Sequence, residues 1–278
     1  MNVEAVTAAV LMAVYTRDEP DQLRAALHAI TDSQSRKPDL LMLVIDGPIK
    51  ETLESEIHNH KTKSSVPTNI LRLQENVGLS LALQAGVDKL KNTFDYIIRT
   101  DADDISRCDR IREQLDYMIA NPEVGLASSQ VSIFEADPRL PVGNRNLPSD
   151  GSINAFAKTR TPINHSCAIF RSKCLIDVDY PSTRIPFEDW WISLRILKLG
   201  WKIGVIDRTH LHFRGGDEMI ARRHGVKYLA QELEFFKNIY REELMPGSIV
   251  FRNIAVRVFL RLLPGRALAM LYKLQMHR

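Results

Sequence analysis

Cysteine is scarce in this sequence. Three residues in 278 (Cys108, Cys167 and Cys174), with no CxxC spacing, exclude a disulfide framework and a cysteine-ligated metal centre. No apolar run approaches the roughly 20 residues that a helix needs to cross a bilayer. The apolar stretch at residues 8–14 is short and follows Glu4, unlike a secretory signal. Together these absences lead to the expectation of a cytoplasmic protein that touches a membrane at most peripherally. Charge of one sign is lacking too. Lys and Arg number 37 against 34 Asp and Glu, a net +3 that is too balanced to imply a nucleic-acid partner. There is no internal repeat and no low-complexity tract. With 45% hydrophobic and 26% charged residues, the chain has the composition of a protein folded around a core.

What the sequence does contain is an alternation of strand-like and helix-like segments. Residues 9–14, 40–45, 69–73 and 96–99 read as short buried strands. Between them Leu23, Ala26, Leu27 and Ile30, and then Leu79, Leu83, Val87 and Leu90, recur at helical spacing. Asp18, Glu19 and Pro20 read as a helix start, and Ile111, Leu115, Met118 and Ile119 as a further helical face. Such alternation predicts an α/β fold with a mostly parallel sheet flanked by helices. Ligands of these sheets bind at the carboxyl ends of the strands. That rule selects Tyr15, Asp46, residues 74–78 and residues 101–104. Residues 135–162, rich in Pro, Gly, Asn, Ser and Arg, read as a long functional loop. Residues 168–170 and 202–206 read as later strands, and residues 218–240 as a helix.

Four motifs carry chemistry. Asp101-Ala102-Asp103-Asp104 crowds three carboxylates directly after a strand, a costly arrangement unless a cation or hydrogen bonds compensate it. It reads equally as a site for Mg2+ or Mn2+ or as a solvated acidic turn. Glu188-Asp189 stands between Phe187 and Trp190-Trp191, where a shielded carboxylate can become a useful base. The bland reading is an acidic helix N-terminus. His165, in Asn164-His165-Ser166, is by itself as easily structural. His210, His212 and Arg214 before Gly215-Gly216, followed by Arg222 and Arg223, form either a phosphate-approaching segment or a solvated basic turn.

In their order, these segments resemble glycosyltransferase family 2, inverting enzymes of GT-A fold, on the branch that builds bacterial capsule, exopolysaccharide and O-antigen. The resemblance covers nearly the whole chain. It implies a nucleotide pocket at Val14, Tyr15, Asp46, Asn76, Gly78, Asp101 and Ala102, with Asp46 holding the base and Asp101 the ribose. It implies a divalent ion (Mn2+ or Mg2+) on Asp103, with His212 as a second ligand. Asp189 would be the general base, and Glu188, His165 and Trp190 would meet the acceptor. Arg214, Arg222 and Arg223 would close over the diphosphate. The implied partners are a nucleotide-sugar donor, a UDP-sugar first, and a glycan or lipid-linked glycan acceptor. The chain departs from the family pattern at Gln84, where relatives carry Arg, and at residues 179–184, where a Gly-Gly-Tyr run is common.

The last stretch is unusual in composition. From Ser248 onward there are five Arg, one Lys and no acid, interleaved with Ile, Val, Phe and Leu. Such a tail fits either an interfacial helix on the anionic inner leaflet or a segment packed on its own domain. The expected organisation is a GT-A domain over residues 1–247, its nucleotide part at about 1–130 and its acceptor part at about 131–247, followed by a helical basic tail at 248–278. Two rival functions fit the residues less well. A sugar-nucleotide pyrophosphorylase would need a glycine-rich loop where this chain has Tyr15-Thr16-Arg17-Asp18. A non-catalytic nucleotide-sugar-binding subunit would have no use for intact Asp101, Asp103 and Asp189.

Overall fold

The structure is a computed structural model that describes residues 6–149, 151–178, 185–215 and 226–262. Strands β1 (Ala8–Val14), β2 (Leu40–Ile45), β3 (Thr68–Arg72) and β4 (Tyr96–Thr100) lie side by side and parallel, in the order β3-β2-β1-β4. Helices α1 (Pro20–Ile30), α2 (Glu51–Lys63) and α3 (Leu79–Leu90) connect them. Side chains alternate across a strand, so β1 serves two cores at once. Ala9 and Leu11 pack with Ala82, Leu83 and Val87 of α3, while Val10, Met12 and Val14 pack with Leu23, Leu27 and Ile30 of α1. The continuous apolar run of β1 is therefore a consequence of burial on both faces.

The sheet continues past β4 as a mixed half: β8 (Ile169–Arg171), β6 (Val124–Phe134), β9 (Lys202–Arg214) and the two-residue β5 (Ile105–Ser106). Here β8 runs antiparallel to both β4 and β6, while β9 runs parallel to β6. Strand β6 has no counterpart in the sequence reading, although all of its residues are buried. The expected strand at 202–206 is longer and reaches Arg214. The expected loop at 135–162 contains β7 (Gly143–Arg145), paired to β6, and a short α5 (Ile153–Ala157).

Helix α4 (Arg110–Ala120) follows β5, α6 (Ser172–Val178) follows β8, and α7 (Glu188–Lys198) precedes β9. Helix α8 (Val226–Arg241) and the tail helix α9 (Gly247–Leu262) complete the described chain. The tail helix lies against its own domain. Arg257 and Arg261 both reach the buried Glu232 of α8 at 2.8 Å and stack on Trp190, Phe236 and Tyr228. Two arginines expected to meet lipid are thus used internally. The face left exposed carries Phe251, Arg252, Val256 and Phe259.

One turn fixes the carboxyl end of β2. Gly47 follows β2 at φ 80°, and a Cβ there would stand 2.6 Å from the amide nitrogen of Asn76. Both the left-handed backbone and the close approach require glycine. Gly47→Ala is expected to destabilise the fold by about 2 kcal/mol or more, since strain and steric overlap combine. Chemical denaturation of the two proteins checks this, and equal midpoints would contradict it.

Candidate functional site

The site forms where the carboxyl ends of β1, β2 and β4 face the N-terminus of α7. Strand β4 delivers Arg99 and Thr100, and the chain then turns through Asp101, Ala102, Asp103 and Asp104. Oxygens of Asp101, Asp103 and Asp104 all lie within 4.8 Å of one another. Burial pushes the Asp104 carboxyl well above the usual carboxylate range, helped by the neighbouring Asp101 and Asp103. Asp103 is raised by burial and by Asp101, against the pull of Arg214 and Arg99. A cluster in this state stores unrelieved repulsion.

Relief comes from three arginines. Arg99, almost wholly buried, grips both oxygens of Asp101, with one contact at 2.8 Å. Arg110, fully buried on α4, donates to the carbonyl of Arg99 at 2.6 Å and to Ser106 at 2.9 Å. The Arg214 amide donates to Asp104 Oδ1 at 2.9 Å, and its guanidinium donates to the carbonyls of Asp103 and Glu135 while lying over the Phe134 ring. Arg214 therefore braces the acidic turn, with its charge fixed beside it. Ser166 faces Asp104 and offsets part of its burial, yet Asp104 Oδ2 finds no donor at hydrogen-bonding distance and angle among the described residues. An orphaned buried oxygen within a set of hard oxygen donors fits a divalent cation such as Mg2+ or Mn2+.

Asp18 is a member of this site that sequence reading took for part of a helix start. Its carboxylate accepts the Tyr15 amide at 2.9 Å and closes the turn after β1. Burial pushes its carboxyl up to about 7, with Asp103 and Asp101 adding to the rise. Tyr15 itself is partly exposed at the mouth, while Val14 is buried. Asp46, expected to hold the base, has its carboxylate committed within the chain. It accepts from the Val77 amide at 2.8 Å and from the Gly78 amide and Asn76 Nδ2 at 3.0 Å. Asp46 thus sets the shape of the Asn76–Gly78 loop, and Gly78, at φ 90°, turns that loop into α3.

Glu188 and Asp189 open α7 behind Phe187, which adopts a left-handed φ of 56°. Though adjacent, the two acids occupy different environments. Asp189 accepts the Thr161 hydroxyl at 3.1 Å and the Trp190 amide at 2.8 Å. Burial pushes the Glu188 carboxyl up to about 7, with Asp189 and Asp101 adding to the rise and Arg99 opposing it. His165 Nδ1 stands 3.7 Å from Glu188, and burial beside Arg99 and Arg145 holds that imidazole well below its usual range, hence neutral. Asn164 fixes the His165 turn on β6 through Ser128 and the Ser129 carbonyl. Arg99 thus pairs with Asp101, and its charge is also felt at Glu188.

Other expected site residues fall elsewhere. His212 is outside the carboxylate cluster; its Nδ1 meets Ser132 at 2.7 Å, and the side chain lines a separate cavity beside Arg139 and Pro141. His210 is buried with one nitrogen on Ser129 and the other on Glu113, which leaves it no coordinating atom. Trp190 is core rather than acceptor surface. It packs on Phe235 and Phe236 and donates its indole N–H to the Ala157 carbonyl at 2.7 Å. Arg222 and Arg223 lie outside the described residues. Arg99, Thr161 and Arg110 were missed, and only the distance of Arg99 from Asp101 in sequence could have pointed to it.

Comparison with known proteins gives this geometry a context. The family model described as "Glycosyl transferase family 2" matches residues 9–178. A UDP-Gal:alpha-D-GlcNAc-diphosphoundecaprenol beta-1,3-galactosyltransferase of Escherichia coli is 31% identical over 264 residues, covering 95% of this chain and 94% of its own. The amylovoran biosynthesis glycosyltransferase AmsE of Erwinia amylovora is 28% identical over 272 residues, covering 95% and 97%. Among solved structures, the mannosyltransferase PcManGT of Pyrobaculum calidifontis, in complex with GDP-Man and Mn2+, superposes with a TM-score of 0.62 at 17% identity, covering 98% of this chain and 81% of its own. The chain spans 44% of the S. aureus TarS chain, with a TM-score of 0.58 at 13% identity over 84% of this chain. The chain therefore belongs to glycosyl transferase family 2, as a glycosyltransferase of GT-A fold.

Proposed function

We propose that this enzyme moves one sugar, with inversion, from a nucleotide-sugar, a UDP-sugar first, to a hydroxyl of a glycan carried on a lipid diphosphate. The observation that carries the reading is the Asp101–Asp103–Asp104 cluster with Glu188 near enough to feel the charges of Asp101 and of the buried Arg99, and with Asp189 next to Glu188 in the chain. The donor and acceptor classes follow the E. coli relative, whose name gives UDP-Gal and a diphosphoundecaprenol glycan. Asp103, with Asp104 beside it, would hold Mn2+ or Mg2+; when bound, such an ion supplies Lewis-acid stabilisation of a diphosphate leaving group.

The chain's own residues account for the rest. Tyr15 at the mouth and the Asn76–Gly78 loop shaped by Asp46 receive the nucleoside. Asp101, steadied by Arg99, presents its outer edge to the ribose. Asp189, oriented by Thr161 and the Trp190 amide, takes the proton of the acceptor hydroxyl as general base. The acceptor oxygen then bonds to the anomeric carbon from the face opposite the diphosphate, whose C–O bond breaks. Glu188 accepts a hydrogen bond from the acceptor, and its ionised form makes that bond the stronger one. A lipid-linked acceptor would be met at the membrane surface, where the exposed Phe251, Val256 and Phe259 of α9 could enter the interface next to Arg252. Equal flotation of wild type and Phe251→Ser/Phe259→Ser with anionic vesicles would refute that contact.

Asp189→Asn is expected to keep UDP affinity unchanged and to lower transfer by about 10²-fold or more, as loss of a general base does. Retained turnover in a product assay would overturn the assignment. The pH profile tests Glu188. Its carboxyl, raised to about 7 among Asp189, Asp101, His165 and Arg99, is protonated below that value and ionised above it. Acceptor kcat/KM should therefore rise with pH through about 7, and this limb should vanish in Glu188→Gln. An identical profile in the variant would contradict the role.

A further inference from the structure

A second cleft reaches Glu188, the neighbour of the proposed base. It encloses about 580 Å³, within the ~300–1,000 Å³ usual for small-molecule sites. Leu79 and Ser80, the first residues of α3, form one wall. Phe187 and Glu188 form the floor, and Gln231 and Glu234 of α8 form the opposite wall. Its floor thus reaches the immediate neighbour of the proposed base, whereas none of Asp101, Asp103 and Asp104 lines it.

Charge defines what it can hold. The described lining of the cleft carries two carboxyl groups, Glu188 and Glu234, which repel a phosphate or carboxylate placed beside them. The polar groups are nonetheless available. Gln231 and Glu234 are exposed, three residues apart and hence on one helix face, and neither makes a hydrogen bond or ion pair among the described residues. An amide and a carboxylate side by side suit adjacent hydroxyls of a sugar ring. The exposed Leu79 and the Phe187 ring supply apolar surface for its C–H faces. Phe187 is held in place edge-on by Tyr228 and Phe235, in a left-handed backbone conformation that disfavours a bulky residue. Strain of this kind persists where neighbouring structure enforces it, and it is concentrated at functional sites.

We propose that this cleft is an acceptor subsite for a neutral glycosyl unit, with Gln231 and Glu234 as the residues that read its hydroxyls and exclude anionic sugars. The inference rests on the transferase reading and adds the substrate class. It also sends the diphosphate of a lipid-linked acceptor out of this cleft, because Glu188 and Glu234 repel it.

The test uses the full chain with UDP and Mn2+, and saturation-transfer NMR with p-nitrophenyl N-acetylglucosaminide and p-nitrophenyl glucuronide as probes. The neutral glycoside should bind and the glucuronide should not. Gln231→Ala and Glu234→Ala should each weaken the neutral glycoside about fivefold, the effect of one lost hydrogen bond, with UDP affinity unchanged. Glu234→Gln should also admit the glucuronide. Unchanged glycoside binding in both alanine variants, parallel weakening of UDP, or silence from both glycosides on a protein that binds UDP would overturn the subsite alone. Absence of UDP binding in the wild type would bring down the transferase reading, and the subsite with it.

Discussion

Repulsion among Asp101, Asp103 and Asp104 at the end of β4 is the constraint around which the rest of the site is arranged. Three carboxylates within one coordination radius, with Asp18 close by, would not stay ionised without positive charge. The chain supplies Arg99 to Asp101, the Arg214 backbone to Asp104, and Arg110 beneath both through the carbonyl of Arg99. These contacts leave Asp103 and Asp104 with raised carboxyls and one buried oxygen orphaned. The compensation is partial by construction, as expected of a site completed by a divalent ion and a diphosphate.

The two halves of the sheet divide the labour. The parallel half sends the ends of β1, β2 and β4 to the nucleotide side, following the rule for open α/β sheets. The mixed half orients α7, whose first residues are Glu188 and Asp189. The position of α7 depends in turn on Trp190, wedged against Phe235 and Phe236 of α8 and under Arg257 of α9. Glu232 ties Arg257 and Arg261 together beneath that stack. The tail helix is thus mechanically part of the catalytic half, whatever its outer face meets.

Much of this was legible in the sequence, and the remainder was hidden for identifiable reasons. Strands β1, β2 and β4 stood out because burial on both faces makes them continuous apolar runs, and the polar residues after them marked the site. Strand β6 escaped because its buried positions include Ser128, Ser129, Gln130 and Ser132, whose partners come from distant segments such as Asn164 and His210. The resemblance implies an acceptor role for Trp190, but helical geometry turns its ring into the core against Phe235 and Phe236. His212 was expected at the metal by resemblance, but its position on β9 gives it to Ser132. Asp18 looked like a helix start because Pro20 follows, while its carboxylate closes the turn after β1 on the Tyr15 amide, within the field of Asp101 and Asp103. None of these outcomes could be read from spacing alone.

The central claim is that the acidic turn is a cation site coupled to nucleotide binding. Electron paramagnetic resonance titration of Mn2+ into the full chain, with and without UDP, tests it most directly. The account predicts that UDP tightens Mn2+ binding about tenfold or more, and that Asp103→Asn removes the coupling. Mn2+ affinity that is the same with and without UDP would contradict it.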